Sequence, residues 1–330
     1  MPFEIALEPV DRIRVTILMD NVTDPLIPDQ GEVTRLSWPK ALAGAVPRVA
    51  TPLVPDGVPD ALVAEPGFSA LVSVERDGRE HTLLFDTGVS PHGVVENMRR
   101  LGLLLTDVEA IVLSHGHWDH VTGMEGVARA LGRRGLPVLI HPEFWARRRI
   151  TFPGLEPAEL PSTSRSALEG VGFEIVEEQR PSFLLDGSVL ITGEVDRTTE
   201  FETGFKGHEA FRGSWEPDPL ILDDQALVAR IRDRGLFVLS GCGHAGIVNT
   251  LRYVQRLTGE RRIAGVIGGF HLSGPMFEPI IPPTVAAFDE LAPGLLAPAH
   301  CTGWKAMREF ASRFPEAFVL STVGTTIEMS

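Results

Sequence analysis

The 330-residue chain predicts an α/β fold, and three observations carry that expectation. From about residue 69 onward, short apolar strand candidates alternate with stretches of helical periodicity. A buried strand followed by a histidine-bearing loop and then a helix occurs four times, at His115, His244, His271 and His300. Hydrophobic residues are 43% of the chain and charged residues 22%, so a large core can be buried.

In chain order, Ile13 to Met19 is the first strand, ending at an Asp20-Asn21 turn. Eight prolines then fall between Asn21 and Phe68, and residues 21–67 read as a long loop or lid. Ser69–Val74 and Thr82–Phe85 flank an Asp77-Gly78 turn and form a hairpin. Ser90 is placed to cap a helix over roughly 92–101, where Val94, Val95, Met98 and Leu101 share a face. Ala110–Leu113 is a buried strand, 124–131 a helix and Pro137–Ile140 another strand. Residues 141–188 read as an irregular insertion, with a Pro/Ser-rich patch from Pro153 to Ser166. Strands follow at 189–192, 225–231, 236–239, 263–267 and 295–297, with helices near 247–257, 284–291 and 304–310. Short strands at 318–320 and 325–328 close the chain.

Composition narrows the function classes. Lys+Arg 30 against Asp+Glu 44 gives a formal charge of -14, which disfavours nucleic acid as a partner because that binding needs a basic footprint. No stretch approaches the roughly 18 to 20 apolar residues of a membrane span, and the N-terminus, with Glu4, Glu8 and Asp11, lacks a signal-peptide core. The expectation is a cytoplasmic protein with no membrane partner. Two cysteines make no disulfide framework, yet each stands beside a histidine, as Cys242-Gly243-His244 and His300-Cys301.

His115, His117, Asp119 and His120 lie within six residues. In an extended segment, positions two apart point the same way, so His115 and His117 can grip one cation through neutral imidazoles. Asp119 and His120 then suit a second borderline metal such as zinc, iron or manganese. A polar surface loop is the rival reading. Ligands in α/β proteins gather where strands end, so the four histidine loops are expected to converge.

The run Ser114-His115-Gly116-His117-Trp118-Asp119-His120, preceded by Phe85-Asp86-Thr87-Gly88, resembles the HxHxDH signature of the metallo-β-lactamase superfamily. Together with Gly-Cys-Gly-His-Ala-Gly-Ile, Gly-Gly-Phe-His-Leu and Pro-Ala-His-Cys-Thr-Gly, it is similar to a metal-dependent hydrolase branch. That branch includes proteins like dihydropterin ribofuranosyl-aminobenzene phosphate synthase. The resemblance spans about residues 65–330. It implies an αββα sandwich: two mixed β-sheets packed face to face, helices on the outer faces, and a one- or two-metal site at the strand ends. It also implies that His115 and His117 are first-metal ligands and that Asp119, His120 and His300 are second-metal ligands. Asp86 supports the ligand loop by hydrogen bonds without being a ligand.

The sequence departs from the common pattern twice. The stretch Ile191-Thr192-Gly193-Glu194-Val195 lacks the usual third first-metal histidine, for which His244 is the substitute. Where many members carry a bridging aspartate, this chain has Ser240-Gly241-Cys242. Cys242 is therefore either a thiolate ligand, as in the zinc β-lactamases, or a buried small hydrophobe. His271 is assigned chiefly to substrate or transition-state contact, with ligation and packing as alternatives. His81, His92, His141 and His208 read as surface or packing residues. The Arg147-Arg148-Arg149 run reads as a solvated helix face, its rival an anion clamp beside the metals.

These residues point to a metal-dependent hydrolase with one or two divalent ions, zinc first. A metal-activated water would attack a small, in one option anionic, ester, lactone, amide or phosphoester, with Asp119 and His271 in catalytic roles. No Gly-x-Ser-x-Gly elbow or Walker loop appears, which weakens covalent acyl-enzyme and nucleotide-hydrolase readings. The alternatives are a metal-assisted transferase of the synthase type and a decayed metal-binding sensor. Ligand candidates from His115 to His300 argue for one domain over residues 1–330, with substrate choice in the 21–67 and 141–188 segments.

Overall fold

The computed structural model describes residues 5–132, 135–152 and 154–330. Glu4 of the acidic N-terminus and Pro153 of the Pro/Ser-rich patch lie outside them. Two β-sheets face each other. The first has eight strands, in the order Phe173–Glu177, Leu136–Ile140, Val108–Val112, Arg79–Phe85, Ser69–Arg76, Arg12–Met19, Thr326–Met329 and Val33–Thr34. The first four run parallel and the remaining pairings are antiparallel. The second sheet is ordered Ser182–Leu184, Val189–Ile191, Ala226–Ile231, Gly235–Ser240, Ile263–Gly269 and Leu295–Ala299, and Pro9–Val10 pairs with Ala226–Ile231.

Alternation within each strand explains the layering, because successive side chains leave opposite faces. In Gly235–Ser240, Phe237 and Leu239 enter the core between the sheets, where they meet Ile17, Val72 and Phe85. Leu236 and Val238 point the other way, into a second core shared with helices Ile247–Thr258, Ile281–Leu291 and Trp304–Arg313. A third core, with Leu84 and Ile111, packs under helices Gly93–Arg100 and Met124–Leu131. The architecture is the αββα sandwich. Among the described residues no helix is long and apolar enough to cross a membrane.

The hairpin, the helix over 124–131 and the later strands through Leu295–Ala299 form as the sequence expects, as does Thr326–Met329, but the short strand expected at 318–320 does not: Phe318 makes only an isolated bridge to Leu296. The N-cap position of the helix Gly93–Arg100 is His92 rather than the expected Ser90, although Ser90 Oγ still accepts from the first helical N–H, Gly93 N, at 3.0 Å. The 141–188 stretch differs from expectation. It is not irregular: it holds strands Arg148–Ile150, Ala158–Glu159 and Phe173–Glu177 and a helix Arg165–Gly170. Phe173–Glu177 extends the first sheet in parallel beside Leu136–Ile140. As an edge strand it leaves Glu174 and Glu177 toward solvent, and this mixed pattern hides a strand from a reading of apolar runs. Arg148–Ile150 joins a separate four-stranded sheet with Ala158–Glu159, His208–Phe211 and Trp215–Pro217.

The arginine run is neither a helix face nor an anion clamp. Arg147 and Arg149 pair with Glu159 and Glu209, while Arg148 turns inward, buried, onto Asp223. Residues 21–67 are not a free loop: Val33–Thr34 forms the edge of the first sheet against Thr326–Met329, and both ends of the segment are tied down as well. Asp20 Oδ1 accepts from His300 N at 2.9 Å, and Glu65 Oε1 accepts from Val89 N and Ser90 N. Between those ends, the hairpin Arg48–Thr51 and Val54–Pro59 stands largely exposed.

Candidate metal centre

The strands Arg79–Phe85 and Val108–Val112 end side by side, and their loops build the centre of the site. Asp86, fully buried, takes a left-handed φ of 56° at the first of these ends. Its Oδ1 accepts from Ser114 N at 2.7 Å and its Oδ2 from Ser114 Oγ at 2.7 Å. Oδ2 also lies 2.7 Å from His120 Nδ1, so His120 presents Nε2 to the site. Ser114 Oγ in turn stands 2.9 Å from His115 Nδ1, which leaves His115 Nε2 free. One carboxylate thus orients two imidazoles, the supporting role expected of Asp86.

His115 Nε2 and His117 Nδ1 are 3.0 Å apart. The His244 ring packs edge-on against both, at 4.8 and 4.9 Å between centroids. Donor atoms of His115, His117 and His244 all lie within 4.8 Å of one another, and so do those of Asp119, His120 and His300. Cys242 stands between the two groups, its Sγ 3.3 Å from His120 Nε2, and it also clusters with His115 and His120. Cys301 joins Cys242 and His300 in a further group, and His271 joins Cys242 and His244. The fold therefore brings together all seven residues read from the sequence as ligands, and His271 with them.

Three of the positions are conformationally strained. Asp86, His271 and His300 all have positive φ, at 56°, 45° and 48°, a region that non-glycine residues seldom adopt and that clusters at functional sites. Close loop approach also demands glycine. A Cβ on Gly241 would sit 2.1 Å from Ser114 Oγ, so only glycine lets the Cys242 loop press against the His115 loop.

The donor chemistry suits a cation. His244 Nδ1 and Nε2, His271 Nδ1 and His300 Nε2 are buried without a hydrogen-bond partner, and buried polar atoms are otherwise nearly always paired. Burial, with neighbouring histidines and Arg148 adding to it, holds His115 and His117 well below the usual imidazole range. Burial with His271 and His115 does the same for His244. These three are neutral near pH 7 and ready to donate lone pairs. Burial also disfavours a charged His120, but Asp119 and Asp86 outweigh it and raise its pKa to about 9. Asp119 shows the reverse balance: burial raises it, while His120 and His300 bring it well below the carboxylate range. Burial pushes the Cys242 thiol well above its ordinary value.

Four supporting residues escaped the sequence reading. His208, taken there for a surface or packing residue, is buried with Nε2 3.0 Å from His117 Nε2. It sits on one of the unexpected strands, and no spacing links it to the HxHxDH run. Asp223, Asp224 and Gln225 tie the two main ligand loops together just before strand Ala226–Ile231. Asp223 Oδ2 accepts from Gly116 N at 2.7 Å and Asp224 Oδ2 from Ala245 N at 2.8 Å, while Gln225 Nε2 donates to Leu113 O. Two acidic residues just ahead of the apolar run Ala226–Ala229 were the available signal. His81, His92 and His141 stay outside the centre: His81 pairs with Glu109, His92 precedes a helix, and His141 caps a 3-10 turn.

A sequence model of the metallo-beta-lactamase superfamily matches residues 64–257. The chain belongs to the metallo-β-lactamase superfamily. Among relatives, the 7,8-dihydropterin-6-methyl-4-(beta-D-ribofuranosyl)-aminobenzene-5'-phosphate synthase of Methanocaldococcus jannaschii is 30% identical over 268 residues, covering 79% of this chain and 89% of that one. A ribonuclease Z of Salinibacter ruber is 29% identical over 177 residues, half of each chain. The solved structure of Tm1679, described as a metal-dependent hydrolase of the beta-lactamase superfamily, superposes with a TM-score of 0.70 at 24% identity, covering 96% of this chain and 99% of that one. Metallo-β-lactamase folds bind divalent metal, and the histidine, cysteine and aspartate groups of this member offer the donors for it.

Proposed function

We propose that the chain is a metal-dependent hydrolase of small esters, lactones, amides or phosphoesters, working in the cytoplasm, where two free thiols near the donors stay reduced. One observation carries the reading: two adjacent donor groups, joined by Cys242, open into a single pocket of about 400 Å³. His115 Nε2, His117 Nδ1 and His244 would hold one ion, and Asp119, His120 Nε2 and His300 a second, with Cys242 between them. Zinc suits this mix of imidazole, thiol and carboxylate best, with iron or manganese next. Such ions supply Lewis acidity and bring a water's pKa toward neutrality.

The chain's own groups do the rest. Asp119, ionised and 3.3 Å from His300 Nε2, orients the attacking water and can take up its proton. His271 lines the pocket with an unpartnered Nδ1, suited to charge developing on the substrate oxygen or to the leaving group. Asp86, Asp223 and Asp224 keep the loops in register, so little reorganisation is needed during reaction.

A synthase-type transferase is the second reading, favoured by the 30% identity to a protein of that name over most of both chains. The two separate cleanly. Metal-reconstituted protein is incubated with a panel of esters, lactones and phosphodiesters, and in parallel with a dihydropterin donor and an aminobenzene phosphate, alone and together. Turnover of a single substrate with water supports the hydrolase. A product that forms only when both partners are present supports the transferase. Full metal occupancy with neither outcome supports a decayed sensor. The ribonuclease Z match adds little weight to a nucleic-acid substrate, since no Lys or Arg among the described residues lines the pocket.

A further inference from the structure

The pocket above the donors has two kinds of wall. Its floor is the donor set itself. Its sides are Pro66, Trp118, Ile150, Leu160 and Phe205, and Asp119 is the one acidic or basic side chain among its lining residues, apart from the histidines and cysteines. The arginines close by are already committed. Arg148 is bound by Asp223, Arg197 donates to His244 O and Leu220 O, and Arg212 pairs with Glu143 and Asp218. Trp118, between His117 and Asp119, keeps 40% of its surface exposed although both neighbouring ligand candidates turn inward. Ile150 and Leu160 come from the inserted four-stranded sheet or its edge, so the insertion supplies a side of the pocket. Behind Phe205 and His271 a narrow cleft of about 50 Å³ continues between Phe201, Met276 and Phe277.

An anionic group remote from the reacting bond would lose its hydration here and find no cationic partner. An apolar group would exchange water for aromatic and aliphatic surface. We infer that the substrate is uncharged away from its reacting bond and carries a flat or branched apolar group, which lies on Trp118, Ile150, Leu160 and Phe205 while an ester or lactone carbonyl reaches the donors. This rests on the hydrolase reading and narrows it: phosphate-bearing and polyanionic substrates are disfavoured. The chemistry balances with water alone. Water adds to the acyl carbon, the acyl C–O bond breaks with its electron pair going to the leaving oxygen, and that oxygen takes the proton.

The test uses three esters with one leaving group: 4-nitrophenyl acetate, 4-nitrophenyl 2-naphthylacetate and 4-nitrophenyl hemisuccinate, each rate divided by its hydroxide rate. The metal-replete protein should prefer the naphthyl ester over the acetate by about tenfold or more in kcat/KM, and disfavour the hemisuccinate by a similar factor. Trp118→Ala should bring the naphthyl-to-acetate ratio of kcat/KM down to about one, with the loss on the naphthyl ester appearing mainly in KM. Leu160→Arg should bring the hemisuccinate up to or above the acetate. Equal rates for all three esters, or a preference for hemisuccinate in the unmodified protein, overturn the inference while leaving the hydrolase reading intact. If no ester is hydrolysed at full metal occupancy, the hydrolase reading falls and the subsite is judged by calorimetric binding of 2-naphthylacetamide. Binding that Trp118→Ala removes upholds the apolar subsite, and no binding refutes it.

Discussion

His117 Nε2 stands 3.0 Å from His208 Nε2, on the side of the ring away from the Nδ1 that faces His115. His208 Nδ1 lies 3.1 Å from Asp218 O and 3.5 Å from the Asp218 carboxylate. A proton on His208 Nδ1 leaves its Nε2 as an acceptor, so His117 must carry its own proton on Nε2 and offer Nδ1 to the site. His208 is thus a positioning residue that fixes a ligand's tautomer. His208→Leu should weaken metal affinity by about 10- to 100-fold, as measured by chelator competition. His208→Gln, which returns an acceptor, should recover much of the loss. Unchanged affinity in the leucine variant would remove this role.

Asp86 satisfies three buried donors at once. Asp86→Ala leaves the Ser114 N–H, the Ser114 hydroxyl proton and the His120 Nδ1–H without their acceptor and should cost about 3–5 kcal/mol of stability in the metal-free protein, read by urea unfolding. A loss under about 1 kcal/mol would mean that water replaces the carboxylate without penalty.

The pH dependence follows from His120. Its folded pKa, about 9, is raised above the unfolded value of about 6.5. The protonated contact with Asp119 and Asp86 therefore stabilises the metal-free fold in full below about pH 6.5, and the contribution is lost as pH rises through about 9. Metal binding runs the other way, since His120 must give up that proton to become a ligand. At pH 7.5, calorimetry in buffers of different ionisation enthalpy should count about one proton released for His120, and about two if the Cys242 thiol also ligates. His115, His117 and His244, already neutral, should add none. Zero release would exclude His120 from the ligand set.

Gly241→Ala drives a methyl group toward Ser114 Oγ, where the available space is 2.1 Å. The variant should lose about 1–3 kcal/mol of stability and bind metal more weakly, because the loops bearing His115 and Cys242 are forced apart. A variant with full stability and full affinity would show that the loops can separate freely.

Much of this site was legible because its ligands follow strands. The apolar runs before Ser114, Ser240 and Pro298 are buried strands, and a strand that ends fixes where the next residues point. The sequence alone therefore places His115, His244 and His300 at strand ends. His208 could not, for it lies in a small sheet whose strands, His208–Phe211 and Trp215–Pro217, mix charged and apolar residues and carry no periodic signal. Phe173–Glu177 was hidden for the same reason. The arginine run reads as exposed because the carboxylates that accompany Arg148 into the interior are remote in sequence, Asp223 lying 75 residues away and Asp218 nearly as far. Such a pairing leaves no trace in local sequence.

The central claim is that two donor groups, one completed by His244 and the other by His300, each hold an ion. Elemental analysis of the purified, metal-replete protein beside His244→Ala and His300→Ala tests it most directly. The expected result is about two ions per chain in the unmodified protein and about one in each variant, with the fold intact by circular dichroism. Full occupancy in His244→Ala would contradict the account, because it would leave the first group without the histidine on which its completion depends.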